Sequence, residues 1–174
     1  GLGDVYKRQA TGYTGKLVVE YMVKNYLDDN EVNWAIAGRS EEKLKAVKDV
    51  FGLTDSINEI VVDSNDYESV QNMVSQSKCI LTTVGPYQLY GLNIIKACAE
   101  TGVDYVDLCG EPAWMHQMIQ EYNEIAKGSG ARIVFSCGFD SIPFDLGVYL
   151  LQKKVVAHQG NLSLIHISEP TRPR

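Results

Sequence analysis

The sequence predicts an α/β domain with a doubly wound, mostly parallel sheet and helices on both of its faces. Three observations predict it. Segments with helix and strand periodicity alternate along the chain and are joined by short connections. The strands are rich in Val, Ile and Leu without clear alternation, which is typical of a sheet covered on both faces. A glycine-containing turn opens the first helix, as in folds that bind nucleotides.

The first half of the chain supplies three predicted helices and three predicted strands. An apolar stripe at Leu17, Val18, Tyr21 and Met22 predicts the first helix. Ser40 is a good N-cap, and acidic residues follow it, so a helix is expected to begin there. The predicted elements are helix Thr14–Tyr26, strand Asn33–Ala37, a helix from Ser40 to Val50, strand Glu59–Val62, helix Asp66–Ser75 capped by Asn65 or Asp66, and strand Cys79–Val84.

The second half continues the same alternation. Gly102 is placed to end a helix, and Pro112 and Pro143 are placed near helix starts. The predicted elements are helix Leu92–Glu100, strand Tyr105–Leu108, helix Pro112–Lys127, strand Arg132–Ser136 and helix Ile142–Gln152.

The two ends of the chain are related to each other at the level of DNA. Gly1–Gln9 can be encoded as GGG CTC GGA GAT GTG TAT AAG AGA CAG, and the reverse complement of that string encodes Leu162–Pro170. The string resembles a transposon-type sequencing-library adapter. Two ends of a natural protein have no reason to be opposite-strand translations of one DNA segment, and the alternative is coincidence. We therefore expect residues 1–9 and 162–174 to be adapter-derived.

On this expectation the natural sequence is an insert that spans residues 10–161. Residues 10–154 form a truncated dinucleotide-binding domain, and residues 155–161 begin a second domain that is missing. The first, central strand of the sheet should precede Ala10. Val5–Arg8 is expected to be a poor buried strand, because two of its residues are cations that would face covering helices.

Composition bounds the class of protein. A chain of 174 residues with 45% hydrophobic content has about the length of one domain and enough apolar residues for one core. Its net charge of −6 argues against a nucleic-acid partner. No apolar run reaches the roughly 20 residues that cross a bilayer. We expect a cytoplasmic protein, with association with a membrane or lipid surface left open.

The cysteines do not form a metal-binding or redox motif. They are Cys79, Cys98, Cys109 and Cys137, and no two of them form a C-x-x-C pair. Free, buried thiols in a reducing compartment are the favoured interpretation, and a catalytic cysteine is the alternative. No metal site is expected.

The turn Thr11-Gly12-Tyr13-Thr14-Gly15 predicts a site for a dinucleotide. Backbone N–H groups at a helix start favour a pyrophosphate, Gly12 lets the backbone approach it, and Gly15 lets the helix pack close to the sheet. The alternative is a glycine turn with no ligand. Gln9 stands where such a fingerprint has its first glycine, so we expect this polypeptide to bind cofactor weakly and to be inactive.

Residues after the second strand indicate which dinucleotide binds. An NAD site usually has Asp or Glu there to hold the ribose 2′-hydroxyl, whereas this chain has Arg39 and Ser40. A guanidinium suits a 2′-phosphate, and Lys43, one turn further on, adds positive charge. The sequence therefore favours NADP over NAD. The alternative is an arginine that is merely solvated in a loop.

Loops after the third and fourth strands supply further candidates. Asp63 follows the third strand, where it would lie beside the adenine or cap a turn. Val84-Gly85-Pro86-Tyr87 follows the fourth strand at the edge where ligands bind in open α/β sheets. Tyr87 or Tyr90 would line the nicotinamide pocket, with packing in the core as the alternative for either ring.

Two later loops carry carboxylates, in Asp107–Pro112 and in Gly138–Pro143. Both loops could enter the cleft, and each carboxylate could instead cap the helix that follows it. His116, on the long helix, is expected to be a surface residue. No Ser-His-Asp, metal or P-loop constellation is present, so the catalytic residues stay unknown.

Taken together, these motifs resemble the saccharopine dehydrogenase-like oxidoreductases, the branch that includes the trans-acting enoyl reductases. The resemblance covers nearly all of residues 10–154. It is carried by Ala10-Thr11-Gly12-Tyr13-Thr14-Gly15, Trp34-Ala35-Ile36-Ala37-Gly38-Arg39-Ser40, Val84-Gly85-Pro86-Tyr87, Tyr90-Gly91, Cys98, Gly110-Glu111-Pro112 and Gly138-Phe139-Asp140-Ser141-Ile142-Pro143.

The resemblance implies a Rossmann-type domain for NAD(P), followed by an α+β domain that shapes the substrate site and often the dimer contact. It predicts a parent protein that is an NADP-dependent oxidoreductase acting on an unknown small-molecule or lipid-like substrate. A homodimer through the missing second domain is left open. A non-catalytic dinucleotide-binding or scaffold protein is the main alternative, since no acid–base pair can be identified. An epimerase-like enzyme is a weaker alternative, because a Tyr-x-x-x-Lys pair is absent.

Overall fold

The computed structural model describes residues 5–8, 10–27, 32–54 and 56–159. The chain divides into two compact units, Gly1–Gly138 and Phe139–Arg174. Helices and strands alternate along the first unit, as the sequence predicts. In order they are β1 Val5–Arg8, α1 Tyr13–Tyr26, β2 Trp34–Gly38, α2 Glu41–Phe51, β3 Asn58–Val61, α3 Tyr67–Ser75, β4 Cys79–Thr82, α4 Tyr87–Tyr90, α5 Leu92–Thr101, β5 Asp104–Asp107, α6 Pro112–Ser129 and β6 Ile133–Val134.

The described strands form one sheet in the order β3-β2-β1-β4-β5-β6, and every neighbouring pair is parallel. Strand β1 lies in the middle. Val5 is in register with Trp34 of β2 on one side and with Cys79 of β4 on the other. The order of strands along the chain reverses at β1, and the predicted doubly wound fold is confirmed. The backbone of Val5–Arg8 thus takes the central position, although its composition argued for a poor strand.

Helices cover both faces of the sheet. Successive residues of a strand point to opposite faces, and in β2 all five residues are buried. Ile36 belongs to a core cluster with Val19 of α1 and Leu44 of α2. Its neighbours Ala35 and Ala37 belong to the cluster that includes α3, α5 and α6. This two-sided burial explains why the strand sequences are nearly continuous apolar runs.

Local capping sets the limits of several helices. The Ser40 Oγ accepts the Lys43 N–H at 3.3 Å, and Gly52 ends α2 in the left-handed region with φ 61°. Of the two predicted caps for α3, Asp66 is the one used: its carboxylate accepts the N–H groups of Glu68 and Ser69. The short helix α4 was not predicted, because four residues carry no periodicity.

The second unit contains helix α7, Ile142–Gln159, which begins where the sequence predicts the start of a further helix and continues beyond Gln152. Its apolar residues are distributed around the whole helix, and several are largely exposed. They include Phe144, Leu146, Tyr149, Leu150 and Val156. A helix that is apolar on all sides normally lies buried in a larger protein. None of the helices in the described ranges is long and apolar enough to span a membrane.

Replacing Gly91 with alanine should destabilise the first unit. A Cβ at this position would lie 2.5 Å from Trp114 Cζ2 and 2.8 Å from the backbone oxygen of Tyr87. We expect Gly91→Ala to lower the free energy of unfolding by about 1–3 kcal/mol, measured by urea denaturation. Gly128→Ala is the matched control, since a Cβ there meets open space and α6 should gain up to about 1 kcal/mol. Equal stability of the two variants would contradict this packing.

Candidate functional site

The carboxyl ends of the parallel strands share one edge of the sheet, where the functional loops are placed together. The loop after β1 and the loop after β4 flank the point at which the strand order reverses. Open α/β sheets bind ligands in the crevice outside this point. The loops after β2 and β3 lie on one side of the crevice, and the loops after β5 and β6 lie on the other.

The predicted phosphate turn lies at the start of α1. Gly12 is the N-cap, with φ −77° and ψ 168°, and its carbonyl accepts the Lys16 N–H at 2.9 Å. The N-cap residue itself supplies no side-chain cap, and the first turn of the helix contains no acidic residue. Gly15 is buried, while Tyr13 is 84% exposed and Thr14 is also exposed. The helix start therefore presents positive dipole without a competing carboxylate, which fits an anionic ligand.

The predicted 2′-phosphate residues follow β2 directly. Arg39 is exposed, and no carboxylate within the described ranges forms an ion pair with it. The Ser40 hydroxyl oxygen accepts the Lys43 N–H and so caps the start of α2. Lys43 lines a cavity of about 290 Å³ together with Thr11 and Lys16. Thr11 of the phosphate turn and Lys43 of α2 thus line one cavity, whereas Arg39 and Ser40 are not among its lining residues.

Lys16 is a cation at this cavity that the sequence reasoning missed. Its position one residue after Gly15, in the first turn of a helix without acidic residues, was the available signal. The cavity lining is Thr11, Lys16, Lys43, Ala46, Val47 and Val50. The described lining combines a hydroxyl and two cations, which suit a phosphate group, with three apolar side chains and no carboxylate.

Asp63 lies just beyond β3 and is exposed. Its Oδ1 accepts the N–H of Asn65 at 3.0 Å, so the side chain closes a turn. Asp63 thus caps a turn, which was one of the two roles that the sequence allowed. A contact with the adenine stays a prediction.

The loop after β4 holds the other predicted ligand-contacting segment. Val84 is buried, the Gly85–Pro86 peptide bond is cis, and α4 begins at Tyr87. Tyr87 is only 4% exposed, and its ring lies 5.8 Å from that of Trp114. Its hydroxyl donates to the Thr82 carbonyl at 3.2 Å and accepts the Leu108 N–H at 3.4 Å. Burial raises the pKa of Tyr87. The Tyr87 side chain thus has a packing role, and Tyr90 is half-buried.

Glu111 joins the loops after β4 and β5. It stands at the N-cap position of α6, but its side chain does not cap that helix. Its Oε1 accepts the Tyr87 N–H at 2.7 Å, and its Oε2 accepts the Gln88 N–H at 2.9 Å. The carboxylate thus caps α4, which is distant in sequence, instead of the helix that follows it.

Asp107 joins the loops after β5 and β6. It is buried, and it accepts hydrogen bonds from the Tyr105 hydroxyl at 2.8 Å, the Cys109 N–H at 3.0 Å and the Ser136 N–H at 2.8 Å. Burial raises its pKa, although these hydrogen bonds oppose the rise. Ser136 has a positive φ of 58°, and its hydroxyl donates to the Cys109 carbonyl at 2.6 Å. No sequence pattern indicated that Asp107 and Ser136 would join the loops after β5 and β6.

The cysteines are free thiols in this structure. Burial raises the pKa of Cys109 to about 11 and also raises the pKa values of Cys79, Cys98 and Cys137. A thiol with a raised pKa is protonated at neutral pH and is a weak nucleophile. Within the residues that the structure describes, no cluster of His, Cys, Asp and Glu could hold a metal ion. His116 is exposed on α6, as expected.

Residues 10–134 match the family described as the saccharopine dehydrogenase NADP binding domain. The chain belongs to this family. It is therefore an NADP-binding domain, and the predicted preference for NADP and the predicted family are confirmed. The match begins at Ala10 and includes the phosphate turn, the segment after β2 and the loops after β4 and β5.

The curated relatives that share about 40% of their aligned residues with this chain are much longer proteins. The "Lipid droplet localized protein" of Caenorhabditis elegans is 43% identical over 86% of this chain and 36% of its own length. The "Trans-acting enoyl reductase" of Mycobacterium leprae is 40% identical over 88% of this chain and 36% of its own length. The chain thus spans about a third of the length of the curated relatives that it matches.

Solved structures share the fold at low sequence identity. The apo saccharopine dehydrogenase (L-Glu forming) of Saccharomyces cerevisiae aligns with a TM-score of 0.71 at 16% identity, over 89% of this chain and 32% of that one. A triphenylmethane reductase of Citrobacter sp., solved in complex with NADP(H), aligns with a TM-score of 0.55 at 18% identity, over 76% of this chain and 48% of that one. Both support the Rossmann-type fold.

Asp107→Asn should change how stability depends on pH. The amide keeps an oxygen for the N–H groups of Cys109 and Ser136 and can donate to the Tyr105 oxygen. Because the folded state raises the pKa of Asp107, its contribution to stability is full below the ordinary carboxyl pKa and is lost as pH rises through the raised pKa. Asparagine does not ionise, so the variant should gain stability relative to wild type from acid to neutral pH. Urea denaturation at several pH values measures this, and a pH-independent difference would contradict it.

Proposed function

We propose that the parent protein is an NADP-dependent oxidoreductase and that this chain is its cofactor-binding part. The observation that carries the proposal is the cavity between α1 and α2 to which Lys16 and Lys43 contribute, beside a helix whose first turn contains no acidic residue. Bound NADPH would supply the hydride for reduction. The protein's part is to bind, orient and shield the two halves of the cofactor.

We assign the cofactor contacts by their places along the carboxyl edge. Thr11-Gly12-Tyr13-Thr14-Gly15 would hold the pyrophosphate on backbone N–H groups at the start of α1. Arg39, Ser40 and Lys43 would hold the 2′-phosphate, and Asp63 would lie beside the adenine. Val84-Gly85-Pro86-Tyr87 would form the wall on the nicotinamide side, with the buried Tyr87 ring supporting that wall from behind.

We further propose an apolar, enoyl- or carbonyl-containing substrate. The names of the relatives support this class, since one is a trans-acting enoyl reductase and another is localised to lipid droplets. The exposed apolar helix α7 also supports an apolar environment supplied by the rest of the parent protein. The substrate site would lie largely in that missing part.

A non-catalytic dinucleotide-binding protein is the second candidate. The observation in its favour is that Tyr87 and Asp107, at the edge of the described sheet, have their polar groups engaged with other protein groups. NADPH oxidation by the full-length parent protein over a panel of enoyl and carbonyl compounds separates the two candidates. Tight NADPH binding with no turnover of any compound would favour the second candidate.

Arg39→Ala should weaken NADPH binding selectively. Loss of a charge-assisted contact with a phosphate should lower NADPH affinity by about 10- to 100-fold, while NADH affinity should change by less than about twofold. Lys45→Ala is the matched control, because Lys45 is an exposed cation of α2 that pairs with Glu41. Calorimetry on the parent protein and on the two variants, each with NADPH and with NADH, gives the six dissociation constants. Equal wild-type affinities for NADPH and NADH would refute the assignment of Arg39.

We also propose that residues 1–9 and 162–174 derive from an adapter and that Gln9 replaces a turn glycine. Support comes from the complementary codons and from the family match, which begins at residue 10. Gln9 lies outside the described residues. At a turn position that requires positive φ, a glutamine costs on the order of 1 kcal/mol or more relative to glycine.

Restoring the native start should therefore restore cofactor binding. Gln9→Gly, together with the genomic first strand in place of residues 1–8, should bind NADPH more tightly than the present chain in calorimetry. The reason is that the turn regains its flexible residue and loses a side chain near the pyrophosphate. The same strand exchange with Gln9 kept is the control. No gain from the glycine would count against this account of position 9.

A further inference from the structure

The loop after β4 forms one wall of the crevice, because β4 pairs directly with the central strand β1. The adenosine side of the crevice is the side of β2, where Arg39 and Lys43 lie. A dinucleotide spans the crevice at the point where strand order reverses. The nicotinamide half must therefore extend toward the β4 side, and the position of this loop determines the space that the ring can occupy.

One carboxylate from another loop binds the backbone at the start of α4, in addition to the contacts that the Tyr87 side chain makes. Helix α4 begins at Tyr87 behind Pro86, and no side chain of its own N-cap residue caps it. Glu111 fills this role through both of its oxygens, at 2.7 Å from the Tyr87 nitrogen and 2.9 Å from the Gln88 nitrogen. Hydrogen bonds that involve a charged group are stronger than neutral ones and fix geometry when they are paired.

Glu111 is itself fixed by its neighbours. Its N–H donates to the Cys109 sulfur at 3.4 Å, and its carbonyl accepts the Met115 N–H at 3.0 Å in the first turn of α6. Trp114, from the same turn of α6, packs on the Tyr87 ring. Through the Glu111 carboxylate, the start of α6 thus fixes the position of the backbone of the loop after β4.

We propose that Glu111 is a positioning residue for the nicotinamide half of NADP. It holds the start of α4, and with it residues 84–88, where the nicotinamide is accommodated. It plays no part in binding the 2′-phosphoadenosine half, which is held across β1 by the loops after β1 and β2. This inference rests on the proposed function, since it requires that the crevice bind NADP.

The test compares two ligands that differ in the nicotinamide. The full-length parent protein and its Glu111→Gln variant are titrated with NADPH and with 2′-phospho-ADP-ribose, which lacks the nicotinamide. Glutamine keeps the shape but has one acceptor oxygen and an NH₂ group facing a second N–H. We expect NADPH affinity to fall by about tenfold, the equivalent of one charge-assisted hydrogen bond, with 2′-phospho-ADP-ribose affinity unchanged within about twofold. The fluorescence of bound NADPH should also shift toward that of free NADPH.

Two control variants show what no effect and a general loss of binding look like. Glu124→Gln, an exposed carboxylate of the same helix that pairs with Lys127, should leave both affinities unchanged. Arg39→Ala should weaken both ligands. Unchanged 2′-phospho-ADP-ribose binding also shows that the Glu111→Gln variant is folded.

The outcomes separate this inference from the proposed function. Equal loss of both ligands in Glu111→Gln, or no loss of either, would overturn the positioning role while leaving an NADP site in place. Failure of the wild-type protein to bind either ligand would instead refute the proposed function, and the positioning role with it.

Discussion

The central strand of the sheet is the element on which the rest of the arrangement depends. Strand β1 pairs with β2 on one side and β4 on the other, and it is the only described strand that joins the two halves of the sheet. Because all neighbours are parallel, every strand delivers its following loop to the same edge. The reversal of strand order at β1 then separates the loops after β1 and β4 and opens a crevice between them.

The two sides of this crevice are built differently, and the difference suits a dinucleotide. On the β2 side, Lys16 and Lys43 line a cavity whose described lining residues include no carboxylate, beside a helix with no acidic residue in its first turn. On the β4 side, Glu111 and Asp107 bind backbone amides of neighbouring loops. One side thus offers charge to phosphates, and the other offers a backbone held rigidly in place. Such rigidity lowers the cost of ordering a ligand ring on binding.

Periodicity and capping residues were sufficient to predict the order and type of the long elements, with most helix and strand limits within a few residues; α7 is the exception, since it continues to Gln159. The strand predicted as Arg132–Ser136 is shorter, Ile133–Val134, and beyond its end the Ser136 N–H donates to the Asp107 side chain instead of to a neighbouring strand. The residues proposed to bind the 2′-phosphate could also be predicted from the sequence, since Arg39 stands where an acidic residue would indicate NAD. The roles of Glu111, Asp107 and Lys16 could not be predicted from the sequence, because each depends on contacts between loops or helices that are separate in sequence.

Hydrogen–deuterium exchange of the full-length parent protein, with and without NADPH, measures whether the dinucleotide binds across the crevice at β1. We expect NADPH to slow exchange at the carboxyl edge of the sheet, in residues 11–16, 39–43 and 84–88. We expect no change at the opposite edge, where Ser75, Lys78 and Arg132 lie beside a separate cavity. Protection at that opposite edge, or protection confined to one side of β1, would contradict a dinucleotide bound across the crevice.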